Sequence, residues 1–122
     1  MIYLRVLSFL FIAFVTTTHA QEPIANKGFL DARSANLLES KLALNGEWIH
    51  YDHELIAPAD LKTNNSDLAI FPKLWNDLRD SKSGIGFATY QLTILLPDNH
   101  QSPLALEIPQ IYSSYKIWVN GK

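Results

Sequence analysis

The chain of 122 residues carries a formal net charge of −2, 18% charged side chains and no cysteine. A slightly acidic balance with no basic stripe excludes the electrostatic footprint of a nucleic-acid binder or of a polybasic membrane-surface domain. Without cysteine there is no disulfide framework, thiolate metal site or thiol nucleophile. Apolar packing must therefore hold the fold together, and a 48% hydrophobic composition can supply it.

Residues 1–20 read as an export signal. Arg5 provides a positive start, Val6 to Val15 an apolar run, and Thr18-His19-Ala20 small residues before a cut ahead of Gln21. The run is well short of the roughly 20 residues that cross a bilayer. The expectation is an exported protein, periplasmic or on the extracellular side of the inner membrane, whose mature part of about a hundred residues makes one small domain.

Residues 21–28 are polar and expected to form a flexible lead-in, with the domain running from 29 to 122. Between Phe29 and Leu44 the apolar spacing fits neither helix nor strand, so this part is expected to be mostly irregular. Asn45-Gly46 marks a turn. After it Glu47 to Asp52, EWIHYD, has the aromatic and β-branched content of a strand. Pro58 with Asp60 predicts one helical turn, and Lys62 to Asp67 a loop. FPKL, Phe71 to Leu74, is strand-like, and Asn76 to Ser83 is a polar segment ended by Gly84-Ile85-Gly86.

The clearest periodicity follows. Ala88, Tyr90, Leu92, Ile94 and Leu96 alternate with Thr89, Gln91 and Thr93, which predicts one half-buried strand. Beyond a polar run to Pro103, Leu104, Leu106 and Ile108 begin a second alternating strand, and Tyr115 to Asn120 a third. Asn120-Gly121 then supplies a two-residue hairpin turn that calls for a returning strand. Short strands with little helix between them predict an all-β sandwich, incomplete at its C-terminus. Trp48 and Trp118, inside strand patterns, are expected in the core.

No catalytic constellation emerges. HYDHE, His50 to Glu54, holds two histidines and two carboxylates, but on an extended strand His50 and His53 face opposite sides, and a strand end entering a polar loop accounts for them. Gly84-Ile85-Gly86 precedes a strand, whereas a dinucleotide fingerprint follows one, and Thr89 stands where the third glycine belongs. Ser113 and Ser114 lack a nucleophile elbow. Asn64-Asn65-Ser66 matches a glycosylation acceptor. No cofactor or metal is expected. Trp75, between FPKL and a polar loop, either caps the core or stacks on a sugar ring.

Four segments in order, LNGEWIHYDHELIAPADL, FPKLWND, GFATYQLTILLP and LALEIPQIYSSYKIWVNGK, resemble the exported N-terminal sensor domain of bacterial seven-transmembrane receptors with diverse intracellular signalling modules. A similar run marks the sugar-binding domain of glycoside hydrolase family 2 enzymes. The likeness spans Phe29 to Lys122 and is sharpest at Gly86 to Leu96 and Trp118 to Gly121. It departs from the pattern at His50 and Asp52, where a third aromatic after G-E-W is usual, and at FPKLW. The resemblance implies a galactose-binding-like jelly-roll sandwich and a non-catalytic sensor. Its partner would be a small molecule of the saccharide class, and it would meet the membrane only through segments beyond Lys122. The candidate contacts, Trp75, Asn76 and Asp77, come from an aromatic beside polar residues in an expected loop and not from the resemblance. The alternative it implies is a carbohydrate-binding accessory domain of a secreted glycosidase.

Overall fold

The computed structural model describes residues 22–61, 66–78, 83–98 and 102–122. The expected signal at 1–20, most of the 62–67 loop with Asn64, and parts of the polar segments at 76–83 and 98–103 lie outside the described residues.

The described chain is built from short strands with almost no helix, so the all-β class holds. The strands are β1 (Phe29–Asp31), β2 (Gly46–Asp52), β3 (Asp67–Phe71), β4 (Ala88–Gln91) and β5 (Thr93–Leu95). The expected turn at Pro58–Asp60 is present as a 3₁₀ turn. One α-helical turn, α1 (Trp75–Leu78), follows β3.

β2 is the hub. Its aromatic and β-branched residues favour extended backbone, and it pairs antiparallel along both edges. With β3 the register runs from Gly46↔Phe71 to His50↔Asp67, and with β4 from Ile49↔Gln91 to Asp52↔Ala88. A second, two-stranded sheet joins β1 parallel to β5, from Phe29↔Thr93 to Asp31↔Leu95. The run read as one strand over 88–96 is thus two. It breaks at Leu92 and passes from one sheet to the other, and its alternating burial is lost, β4 being half-buried throughout and β5 exposed.

Within the lead-in, residues 25–28 make backbone hydrogen bonds to both sheets. Ala25 bridges Gly46, its amide donating to Asn45 O at 2.8 Å and its carbonyl accepting from Glu47 N at 2.9 Å. Asn26 and Phe29 exchange backbone hydrogen bonds across Lys27 and Gly28, both of positive φ, as a type I′ turn requires. Gly28 N then reaches Glu47 O at 3.0 Å while Thr93 N reaches Gly28 O at 2.8 Å, so one glycine ties both sheets. Composition suggested looseness. Backbone donors and acceptors, which composition does not reveal, hold the segment in place.

Among the described residues the buried apolar side chains are Ala25, Leu30, Ala32, Tyr51 and Ala69. Tyr51 is buried with its hydroxyl 3.2 Å from Gln91 Oε1, which satisfies the polar end of a large ring. Thr89 Oγ1 accepts from Ile56 N at 3.0 Å and donates to Glu54 O at 2.8 Å, fastening the stretch after β2 to β4. Neither Trp48 nor Trp118 is in the core, contrary to expectation, and both are half-buried.

The strands expected at Leu104–Ile108 and Tyr115–Asn120 are not formed among the described residues, and Leu106 and Val119 remain 52% and 58% exposed. Period-two sequence makes a strand only where a second backbone lies in register. Here β1 to β5 are matched to one another. The Asn-Gly turn itself does form: Val119 and Lys122 exchange backbone bonds of 2.9 and 3.1 Å, with positive φ at Asn120 and Gly121.

At the end of β1, the Asp31 carboxylate accepts from Arg33 Nε at 2.9 Å, Arg33 Nη2 at 2.6 Å and the Arg33 amide at 3.1 Å. These bonds, led by the side-chain pair, hold the Asp31 carboxyl down from 3.8 to about 2. A depressed carboxyl contributes stability that is present above 3.8 and is lost as pH falls toward 2. Both side chains are more than half exposed, so solvent screening keeps that contribution small. The Asp31 carboxyl carbon, followed by NMR, is expected to titrate near 2 in the native protein, and Arg33→Gln is expected to return it toward 3.8. An unchanged midpoint in the variant would show that the guanidinium is not the cause.

Candidate functional site

The sequence-derived site residues fall on α1, immediately after the cis Phe71–Pro72 peptide and Lys73-Leu74. Trp75 is half-buried, while Asn76 and Asp77 are exposed. The turn is closed by Asp77 N donating to Leu74 O at 3.0 Å. The Gly84-Ile85-Gly86 stretch returns to it, since a Cβ added at Gly84 would stand 3.0 Å from Asn76 Oδ1. Ile85, 88% exposed, projects from that stretch, its amide donating to Ser83 Oγ at 3.2 Å. The site therefore combines an indole face, an amide that both donates and accepts, and a carboxylate that accepts. Such a set suits a neutral ligand with an apolar face and several hydroxyls.

A second feature was not legible as a unit in the sequence. One face of the β3-β2-β4 sheet carries a row of rings. Trp48 lies 4.3 Å from Phe71, Phe71 lies 5.5 Å from Tyr90, and Tyr90 lies 4.8 Å from His50, centroid to centroid. All four are half-buried. Alternation along β2 sets Trp48 and His50 on one face, and pairing places Tyr90 directly opposite His50. Trp48 is oriented by its Nε1, which donates to Leu44 O at 2.9 Å. The signal available in the sequence was the shared parity of Trp48 and His50, but which strand would bring the other rings was not.

The two histidines of HYDHE have different ring partners, and His53 lies in the turn just after β2 and not on the strand. His50 stacks on Tyr90. His53, at positive φ, sets its ring edge-on to Phe87 at 5.7 Å and its Nδ1 2.8 Å from Asp52 Oδ2. Among the described residues no three His, Cys, Asp or Glu side chains converge as a metal ion would need. Ser113 and Ser114 are both exposed. No helix among the described residues is long and apolar enough to cross a membrane.

Comparison with protein-family models, with curated proteins and with solved structures finds no match for this chain.

Proposed function

We propose that this chain is the extracytoplasmic ligand-binding portion of a bacterial membrane signalling receptor, non-catalytic itself, with a galactose-binding-like jelly-roll fold and a saccharide as its ligand. The observation that carries the reading is the adjacency of half-buried Trp75 with exposed Asn76 and Asp77 on one turn whose Asn76 abuts Gly84. It is supported by the order of the four resembling segments and by the pairing of two of them: G-E-W and A-T-Y sit on the neighbouring strands β2 and β4. In this reading a ligand that prefers one of two states of the receptor shifts their populations by its difference in affinity, which is all that a sensor requires.

Isothermal titration against a panel of neutral mono- and disaccharides tests it. At least one sugar is expected to bind, and Trp75→Ala is expected to weaken it by about 1–2 kcal/mol, roughly 5- to 30-fold, as loss of a central aromatic contact does. Asn76→Ala and Asp77→Ala are expected to weaken it less. If no sugar binds, or if Trp75→Ala leaves every affinity unchanged, the assignment fails.

A further inference from the structure

The geometry points to self-association by strand addition, in which residues 116–119 of one copy pair with the outer edge of β3 of a second copy.

Both halves of such an interface lie on one chain. β3 is an outer strand of its sheet, paired to β2 on one side only among the described residues. An unpaired strand edge presents a row of backbone donors and acceptors. Its side chains alternate, with Leu68 and Ile70 on one face, 49% and 51% exposed, and Asp67, Ala69 and Phe71 on the other. The stretch Lys116 to Val119 has the complementary alternation but belongs to no ladder among the described residues. Ile117 and Val119 are 42% and 58% exposed. Lys116 Nζ lies 4.9 Å from the centre of the Trp118 ring, as side chains two apart on one side of an extended strand can. Val119 uses its amide and carbonyl in the Asn120-Gly121 turn. Hydrogen-bonding direction alternates along a strand, so the edge open to a partner is that of Lys116 and Trp118.

Charge fixes the register. A parallel alignment sets Lys116 beside Asp67, Ile117 beside Leu68, Trp118 beside Ala69 and Val119 beside Ile70. The aliphatic side chains then share one face. Trp118 falls on the other, in line with the ring row of Trp48 and Phe71. The antiparallel alignment that keeps the same aliphatic contacts places Lys116 against Phe71 and leaves Asp67 against Asn120, without the ion pair. Opposite charges on neighbouring strands favour pairing, and the parallel alignment is the one that uses them.

The occupant is a second copy because the chain carries both the Lys116 and the Asp67 that the alignment pairs, and among the described residues the β3 edge and the 116–119 stretch share no ladder within one molecule. The contact is heterologous, donor stretch to acceptor edge, so each copy keeps one half unused and association continues past the dimer unless it closes into a ring.

Sedimentation velocity on the purified protein over a wide concentration range tests this, with Ile117→Lys disabling the donor and Ile70→Lys the acceptor. Both positions are well exposed, so neither change opens the core. The wild type is expected to show concentration-dependent species beyond the monomer, and each variant alone to associate at least tenfold more weakly. An equimolar mixture of the two is expected to be restored, but only as far as the dimer, since one partner keeps its edge and the other its donor stretch. Leu68→Lys serves as a second acceptor variant and is expected to mix in the same way. A wild type that stays monomeric at several hundred micromolar overturns the proposal. So does undiminished association of either variant, or a mixture that remains monomeric while the wild type associates.

Discussion

Leu30→Ala is expected to lower stability by about 2–5 kcal/mol, the range for truncating a fully enclosed leucine when the surroundings cannot collapse onto the gap. Among the described residues Leu30 is the largest side chain that is completely buried, at 0% exposure. It sits mid-strand in β1, in register with Ile94, and its neighbours on either side in the strand are exposed. With so few buried residues, little else can fill the space. Total stability of a small domain is about 5–15 kcal/mol, so this single change removes a large share of it. Each kcal/mol moves the melting temperature of a domain near a hundred residues by roughly 4–8 °C, which puts the expected fall at about 8 °C or more. Phe29→Ala next door removes a larger ring but one that is 53% exposed, and it is expected to cost clearly less. Urea unfolding of the three proteins decides it. Equal midpoints for Leu30→Ala and the wild type would mean that the core does not lie where β1 and β5 meet.

Leu30 was hidden in a stretch whose spacing suggested no regular element, and the reason is physical. β1 is three residues long, and its partner lies more than sixty residues away, so its strand character comes from a neighbour and not from its own pattern. β2 was legible because EWIHYD is rich in strand-favouring side chains, although the turn expected at Asn45-Gly46 is not formed and Gly46 is instead the first residue of the strand. The Pro58 turn was legible because proline fixes φ. The run from Ala88 to Leu96 announced extended backbone correctly but gave no sign of the break at Leu92, because alternation records which residues share a side and not which sheet they join. The same limit explains Leu104–Ile108 and Tyr115–Asn120, whose alternation is as clear but whose backbones have no ladder among the described residues. At the candidate site the sequence placed Trp75, Asn76 and Asp77 together by adjacency. The return of Gly84 to Asn76, and the row from Trp48 to His50, depend on tertiary register and could not be read from it.

The second large effect concerns a glycine and its backbone neighbours. Gly46→Ala is expected to destabilise the fold by about 3–5 kcal/mol, combining the strain of an L-residue in a sparsely populated region with an overpacked contact. Gly46 has φ +124°, and an added Cβ would meet the Ala25 carbonyl oxygen and lie 2.7 Å from Ala25 N and 2.8 Å from Ile24 Cγ2. Backbone atoms cannot rotate aside as a side chain can. Relief requires Ala25 to leave its place, and with it the hydrogen bonds to Asn45 O and from Glu47 N that fasten the lead-in to β2. Two other glycines of positive φ calibrate the prediction. At Gly28, φ +80°, the added atom would stand 2.5 Å and 2.8 Å from Ile49 Cγ1 and Cδ1, a side chain that can shift, and the expected cost of Gly28→Ala is about 2–3 kcal/mol. At Gly121, φ +80°, nothing lies within 4 Å, leaving the conformational strain of about 1 kcal/mol alone. Hydrogen exchange separates mechanism from magnitude: Gly46→Ala should strip protection from the Ala25 and Glu47 amides specifically, while Gly121→Ala leaves both protected. If the three variants unfold at one denaturant concentration, or if Ala25 keeps its protection in Gly46→Ala, the contact between the lead-in and β2 does not position this end of the sheet.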